Sequence, residues 1–272
     1  MTTQALAELI SNIFITIAFL TLFVLLALEK KRPKVDFSKT TSKESVFTNF
    51  TAFFFNNIVL TLIRATSLFF VAQEFSGHGF LHGMEEGPAK WLLTFLIYDF
   101  SIYLWHVVGH HNEFLWRFHK VHHSDKAFNV TTGFRFHVID LLIEIPYKCL
   151  FVILIGVNAY IVLAMEAIQL VFILFHHSNT EIPHEEKISQ VLITPSLHRA
   201  HHSALRKEHD SNYGIVFAFW DRIFGTRLEV VPQKIGLEII VAENFIQLMC
   251  LGLLTEKHFR RVLKVIPNSS RK

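Results

Sequence analysis

Six of the seventeen histidines lie in one stretch, residues 106–123, which reads HVVGHHNEFLWRFHKVHH. On a helix His106 and His110 are four residues apart, so their side chains share one face and can hold one metal ion. Two further boxes have the form HxxHH and begin at His119 and His198. Spacings of three and four residues again place imidazoles on a common helical face.

The three boxes together supply more imidazoles than one metal ion can use. They contain His106, His110, His119, His122, His123, His198, His201 and His202. Neutral imidazole is a common ligand of iron, zinc, copper and nickel. Burying so many polar rings without partners would cost several kcal/mol. We therefore expect a site for two metal ions.

The composition indicates an integral membrane protein. The 272 residues are 51% hydrophobic and 14% aromatic, and the mean hydropathy is +0.36. A soluble domain of this length is rarely so apolar. The net charge of +3 is too small to suggest a nucleic-acid partner. Cys149 and Cys250 lie far apart in apolar segments, so the sequence predicts neither a disulfide framework nor a cysteine metal site.

Apolar segments predict the membrane topology. Residues 9–28, 46–72 and 91–108 are each long enough to span a bilayer, although Arg64 interrupts the second. The loop between the first two, residues 29–43, is rich in lysine and arginine. By the positive-inside rule this loop is cytoplasmic.

A fourth apolar segment, residues 141–175, is too long for a single span. Its Gly156-Val-Asn158 sequence predicts a hairpin that enters and leaves on the same side, so all three histidine boxes reach the cytoplasmic surface. We predict an all-α, polytopic membrane helix bundle with a cytoplasmic helical cap that carries a histidine-rich site for two metal ions. A single domain, residues 1–272, includes this cap at residues 106–140 and 176–236.

A polar stripe on the predicted helix 91–108 leads to the first box. Asp99, Tyr103, His106 and His110 follow one another at helical spacings on one face. A carboxylate inside the membrane is costly unless it is paired. We expect Asp99 and Tyr103 to lie behind the metal ligands and to hold them in place. A hydrogen bond within the bundle, without any role at the metal, is the alternative.

The boxes belong to a longer series of motifs. The others are Leu115-Trp116, Thr131-Thr132-Gly-Phe-Arg135-Phe-His137, Phe175-His-His177-Ser-Asn179, Thr194-Pro195, Asn212-Tyr213-Gly214 and Trp220-Asp221-x-x-Phe224-Gly225-Thr226. In order and spacing, the series resembles the fatty acid hydroxylase and sterol desaturase superfamily over about residues 99–227. One position departs from the family pattern, because Val107 stands where arginine is frequent.

The resemblance implies a set of metal ligands. They are His106, His110, His119, His122, His123, His177, His198, His201 and His202. His137 is a further candidate, since histidine is frequent at its position in some branches of the family. His111 and His176 each adjoin a matched ligand and would point elsewhere on a helix, so their contact with metal stays open.

The resemblance also implies the chemistry. Members hold two iron ions and use O₂ to hydroxylate or desaturate an unactivated C–H bond of a fatty-acyl, sterol or related lipid. The short motifs look like those of the compact bacterial branch, which implies a bacterial inner membrane. The sequence has no dinucleotide, haem or flavin motif, so an external electron donor such as a ferredoxin, cytochrome or reductase is expected.

Two other classes of protein compete with this interpretation. A membrane zinc-dependent hydrolase would need a general base beside its ligands, as in HExxH, but the corresponding positions are Val107, Lys120 and Arg199. A metal transporter would carry polar residues along its spans, whereas these histidines cluster past the helix ends. Both are less favoured than a lipid oxidase.

Overall fold

The structure, a computed structural model, describes residues 3–62, 68–237 and 242–265. Within these ranges the regular structure is helical, apart from isolated β-bridges. The helices are α1 (Thr3–Lys31), α2 (Lys39–Leu62), α3 (Leu68–Phe75), α4 (Pro88–His111), α5 (Glu113–His119), α6 (Val138–Ile155), α7 (Ala159–His176), α8 (Glu185–Ile188), α9 (Pro195–His201), α10 (Arg206–His209), α11 (Phe219–Ile223), α12 (Phe245–Leu253) and α13 (Glu256–Val265). Short 3-10 helices occur at His122–Ser124 and Val130–Phe134.

Four of these helices, α1, α2, α4 and α7, are long and apolar enough to cross a membrane. Their outer faces carry large apolar side chains, and Phe19, Phe23, Phe47 and Phe54 are all exposed. A contiguous apolar surface of this kind is a liability in water but suits contact with lipid. The predicted fold class, an all-helical membrane bundle with a histidine-rich end, is confirmed.

The described part of the apolar segment at residues 46–72 lies in two helices. The helix α2 starts seven residues earlier, at Lys39, and ends at Leu62, and a second helix, α3, begins at Leu68. Residues 63–67, including Arg64, lie outside the described residues. The early start is explained by the polar first half of α2, where Ser45 and Asn49 are buried against the cap. Hydropathy alone does not reveal this part of the helix.

The segment at residues 141–175 forms two helices, α6 and α7, joined by a short turn. The turn between them has Gly156 in a left-handed conformation (φ 68°), and the Asn158 side chain accepts a hydrogen bond from the Tyr160 N–H at 2.8 Å. A Cβ on Gly156 would lie 1.4 Å from the His78 carbonyl oxygen, so only glycine fits. The loop that contains His78 therefore covers the hairpin turn, at the opposite end of α7 from His176.

The basic loop after α1 lies at the histidine end of the bundle. The Glu29 carboxylate accepts hydrogen bonds from the N–H groups of Val130 and Asn179, at 2.7 and 2.6 Å. The Lys34 N–H donates to the Asn179 carbonyl at 2.9 Å. Because Asn179 lies two residues beyond His177, the basic loop and the histidine boxes share one end of the molecule.

A buried network of hydrogen bonds around Asp125 and Arg135 joins α2 to the cap. Asp125 accepts hydrogen bonds from Ser45, Asn49 and Thr132, and the Arg135 guanidinium donates to Asn49 and to the Ser124 hydroxyl. Burial alone would raise the pKa of Asp125, but Arg135 and these hydrogen bonds lower it overall. The network fixes the segment that follows the second histidine box.

Candidate metal centre

Nine histidines come together in two groups at the end of the bundle. Within each group, one ring nitrogen from every member lies within 4.8 Å of the others. The first group consists of His106, His110, His119, His123 and His201. The second group consists of His122, His177, His198 and His202. These are nine of the ten histidines proposed as ligands from the sequence.

Asn112 alone separates α4 from α5, and the first two boxes meet across this junction. Asn112 ends α4, and its side chain accepts hydrogen bonds from the N–H groups of Phe114 and Leu115 at the start of α5. Side-chain capping of this kind satisfies donors that have no partner within the helix. As a result, the ring centroids of His106 and His119 are 5.1 Å apart.

Adjacent histidines in the second and third boxes belong to different groups. His122 is in the second group and His123 in the first, while His201 is in the first and His202 in the second. Adjacent residues of a helix point about 100° apart. Each HxxHH box therefore contributes to both groups, and the two groups form one continuous cluster.

Oxygen acceptors orient four imidazoles of the first group. The Nδ1 atoms of His106 and His201 lie 2.8 and 2.6 Å from backbone carbonyl oxygens, and a carbonyl can only accept. The Nδ1 atoms of His110 and His119 lie 3.3 Å from carboxylate oxygens of Asp210 and Asp140. Since Nδ1 carries the hydrogen, the lone pair of Nε2 is left for a metal ion.

Fewer hydrogen-bond acceptors orient the imidazoles of the second group. The His177 Nδ1 donates to the Ile173 carbonyl at 2.7 Å. Its Nε2 lies 3.0 Å from the Nε2 atoms of both His122 and His198. Ring stacking also holds this group, since the His122 ring stacks on Phe136 with ring centroids 4.7 Å apart.

The donor set fits metal ions. Many ring nitrogens of both groups, including Nε2 of His106, His110, His119 and His201, are buried without a hydrogen-bond partner among the described residues. Burial lowers the pKa of His177 to about 4 and that of His123 well below its usual value, so these rings are neutral at physiological pH. Buried, neutral imidazoles without partners are costly unless they ligate a metal.

His137 lies apart from both groups. Its Nδ1 accepts the Ile139 N–H at 3.1 Å and so caps α6, and its Nε2 lies 3.2 Å from the Met249 carbonyl oxygen. Gly252 packs directly against the ring, where a Cβ would approach to 2.6 Å. Both nitrogens therefore have partners within the protein. In this structure His137 lies outside both groups and caps α6.

The two histidines whose role was left open differ from each other. The His111 Nε2 lies 3.2 Å from the Tyr213 hydroxyl, and the residue is exposed. His176 is fully buried, its Nδ1 lies 3.2 Å from the Ile215 carbonyl oxygen, and its Nε2 has no partner among the described residues. The His176 ring is next to His198, with centroids 3.9 Å apart, although it is not part of either group.

Asp99 and Tyr103 do not contact a histidine of either group through a hydrogen bond. The Asp99 carboxylate accepts hydrogen bonds from the Trp220 indole at 2.9 Å and from the Val216 N–H at 3.2 Å. The Tyr103 hydroxyl lies 3.0 Å from the Thr226 hydroxyl. Both residues hold the segment at residues 213–226, which presents the Tyr213 carbonyl to His106.

The carboxylates that contact the histidines directly are Asp140 and Asp210. Sequence reasoning missed both. Asp140 is three residues beyond His137 in the first turn of α6, and Asp210 precedes the Asn212-Tyr213-Gly214 motif. Proximity to these motifs is a weak signal, because it does not show which histidine a carboxylate will meet.

A cavity of about 820 Å³ leads from the lipid-facing helices to the histidines. Its wall is mostly apolar, and Phe19, Phe53, Leu141 and Ile173 contribute to it. At its inner end it is lined by His106, His119, His122, His176, His177 and His198. Cavities of this size accommodate small-molecule ligands.

Comparison with known proteins defines the class of protein. A sequence profile described as fatty acid hydroxylase matches residues 91–226, which is half of the chain and includes all nine clustered histidines. The chain belongs to the fatty acid hydroxylase family. No solved structure matches the chain significantly.

Individual relatives are similar over parts of the chain. The ornithine lipid hydroxylase OlsE of Rhizobium tropici is 33% identical over 146 residues, which are 51% of this chain and 44% of the relative. Human alkylglycerol monooxygenase is 29% identical over 227 residues, covering 82% of this chain and 47% of the relative. Rat cholesterol 25-hydroxylase is 26% identical over 155 residues, covering 53% and 48%. The chain thus spans less than half the length of these relatives.

Proposed function

We propose that this protein is a membrane-bound oxidoreductase that uses O₂ and two iron ions to hydroxylate an unactivated C–H bond of a lipid. The observation that carries the proposal is the cavity, whose apolar wall ends at buried ring nitrogens from both histidine groups. Lipid hydroxylases and a lipid monooxygenase among the relatives support the reaction class. Desaturation of the same kind of substrate is the nearest variant.

The two groups would each hold one ion. Five imidazoles in the first group and four in the second form an all-nitrogen donor set that suits iron, and also zinc. Bound iron would supply the redox chemistry needed to activate O₂. In the overall reaction one oxygen atom enters the C–H bond, the other leaves as water, and two electrons and two protons are consumed.

The protein's own residues orient the ligands and the substrate. Asp140 and Asp210 accept the Nδ1 hydrogens of His119 and His110, which fixes the tautomer that directs Nε2 inwards. The apolar cavity wall aligns a lipid chain and excludes water from the reacting carbon. A separate electron donor, a ferredoxin, cytochrome or reductase, is part of the proposal, because the oxidation consumes external electrons.

We place the site on the cytoplasmic side of a bacterial inner membrane. The support is the basic loop after α1, which contacts the cap through Lys34 and Asn179. Basic loops remain preferentially in the cytoplasm, and this one shares an end of the bundle with the histidines.

Comparative lipid analysis tests the function. Total lipids from cells with and without the gene would be compared by mass spectrometry under O₂. We expect a lipid that gains the mass of one oxygen atom and that is missing from cells producing His201→Ala. A product that lacks two hydrogens would indicate desaturation instead. A hydrolysed lipid, formed equally well without O₂ by a protein that holds only zinc, would refute the proposal in favour of a zinc-dependent hydrolase.

A further inference from the structure

Polar side chains interrupt the apolar wall of the cavity. Lys148 of α6 lies 3.1 Å from a carboxylate oxygen of Glu144 and 3.2 Å from one of Glu166 on α7. The Tyr98 hydroxyl of α4 donates to the same Glu166 carboxylate. Glu144, Lys148 and Glu166 all line the cavity.

A nearby amide supplies an independent sign of a ligand. Gln169 is only 3% exposed, lines the same cavity, and its Nε2 has no hydrogen-bond partner among the described residues. It lies three residues after Glu166 on α7, so the two side chains are neighbours on one helical face. A buried amide without a partner carries a desolvation cost that a bound polar group would remove.

The polar positions lie at a defined depth in the cavity. Gln169 precedes His176 by seven residues, which on a helix corresponds to about 10 Å along the same face. Glu166 precedes His177 by eleven residues, or about 16 Å along the axis. The polar positions and the histidines therefore occupy two levels of one cavity.

The charges of the cluster restrict the ligand. Two carboxylates face one ammonium group, so the cluster carries an excess of negative charge and Lys148 is already paired on both sides. A phosphate would be repelled. A neutral group that both accepts and donates fits, because it can accept from the Gln169 amide and donate to the Glu166 carboxylate.

A contribution to stability alone is a poor explanation for this polar cluster. Ionisable groups within membrane helices are costly, and hydrophobic side chains can often replace a buried ion pair without loss of stability. We propose that Gln169, Glu166 and Lys148 form a polar subsite that binds a hydroxyl or amide group of the lipid substrate, two to three helical turns from the carbon that is oxidised. This inference rests on the proposed function and specifies its substrate as a lipid with such a group.

Direct binding tests the subsite without requiring turnover. Radiolabelled octadecanol, octadecane and octadecyl phosphate would be titrated into the full-length protein in nanodiscs, with empty nanodiscs as background. We expect octadecanol to bind more tightly than octadecyl phosphate. Loss of one neutral hydrogen bond in Gln169→Leu should weaken octadecanol about fivefold to tenfold, whereas octadecane should bind as it does to the parent.

Matched variants and metal content control for misfolding. Val171→Ile changes a half-buried residue of α7 that is not among the residues lining the cavity, and it should leave octadecanol binding unchanged. Glu166→Gln keeps the shape of the side chain but removes its charge. This variant should bind octadecyl phosphate more tightly than the parent does. The metal content of each variant reports an intact cap, and Gln169→Met replaces Gln169→Leu if the latter fails to retain metal.

The outcomes separate this inference from the proposed function. Equal octadecanol affinity in the parent and in folded Gln169 variants would overturn the subsite, even if lipid hydroxylation is observed. A Gln169-dependent preference for octadecanol in a protein that hydroxylates no lipid would support the subsite and refute the proposed function.

Discussion

The two histidine groups differ in how their rings are held. In the first group four of five imidazoles donate from Nδ1 to an oxygen, and two of those acceptors are the carboxylates Asp140 and Asp210. In the second group, and among the described residues, only His177 donates to an oxygen, and the acceptor is a backbone carbonyl. Carboxylate acceptors raise the basicity of an imidazole ligand and fix its orientation. We expect the first group to bind its metal ion more tightly.

Substitution of adjacent histidines should reveal the largest difference between the two groups. His201→Ala should deplete the metal of the first group, and His202→Ala that of the second, because their rings belong to different groups. Each variant should lose more than a hundredfold in activity, since even groups behind the ligands are worth about tenfold to a hundredfold. Elemental analysis and iron spectroscopy of both purified variants check this. Identical spectra for the remaining metal would contradict the division into two groups.

Neutralising the carboxylates should have an intermediate effect. Asp140→Asn and Asp210→Asn keep an oxygen that can accept from Nδ1 but remove its charge. We expect metal affinity in the first group to fall by about tenfold, with the second group unaffected. Chelator competition measures the affinity, and Asp36→Asn, an exposed residue, is the control. Equal weakening of both groups would mean that the carboxylates do not distinguish them.

Asp99→Asn should have the smallest effect on metal. Asp99 bonds to Val216 and Trp220, and reaches His106 only through the segment that contains Tyr213. We expect a lower Tm, less than a tenfold loss of metal affinity and measurable lipid hydroxylation. Thermal unfolding followed beside chelator competition separates stability from ligation. Loss of the first-group metal at an unchanged Tm would place Asp99 closer to the metal site than its contacts indicate.

The nine clustered histidines were accessible from the sequence, because box spacing and motif order indicate them. Box spacings bring ligands onto shared faces, and the family motifs added His177, which no local spacing indicates. What the sequence did not show depends on distant contacts. His137 stands at a position where histidine is frequent in some branches of the family. Its ring nitrogens contact the Ile139 N–H and the Met249 carbonyl, and the second partner is distant in the sequence.

The fold was predictable where hydropathy and chain breaks coincide. Gly156 and Asn158 mark the hairpin turn between α6 and α7, and the structure shows the conformation that requires them. The start of α2 was not predictable, because its buried Ser45 and Asn49 look like loop residues until Asp125 and Arg135 provide partners. Gln169 was also missed, because a single amide in the apolar helix α7 does not show in the sequence that it lines a cavity.

The walls of the cavity have a consequence for kinetics. Phe19 and Phe23 of α1, and Phe54 of α2, line the cavity and are also exposed on the outer face of the bundle. A lipid can therefore approach between these helices from the bilayer itself, without passing through water. We expect the rate of lipid hydroxylation to follow the mole fraction of the lipid substrate within the membrane. Diluting the substrate with inert phospholipid should therefore slow the reaction, even when the bulk concentration of substrate is constant.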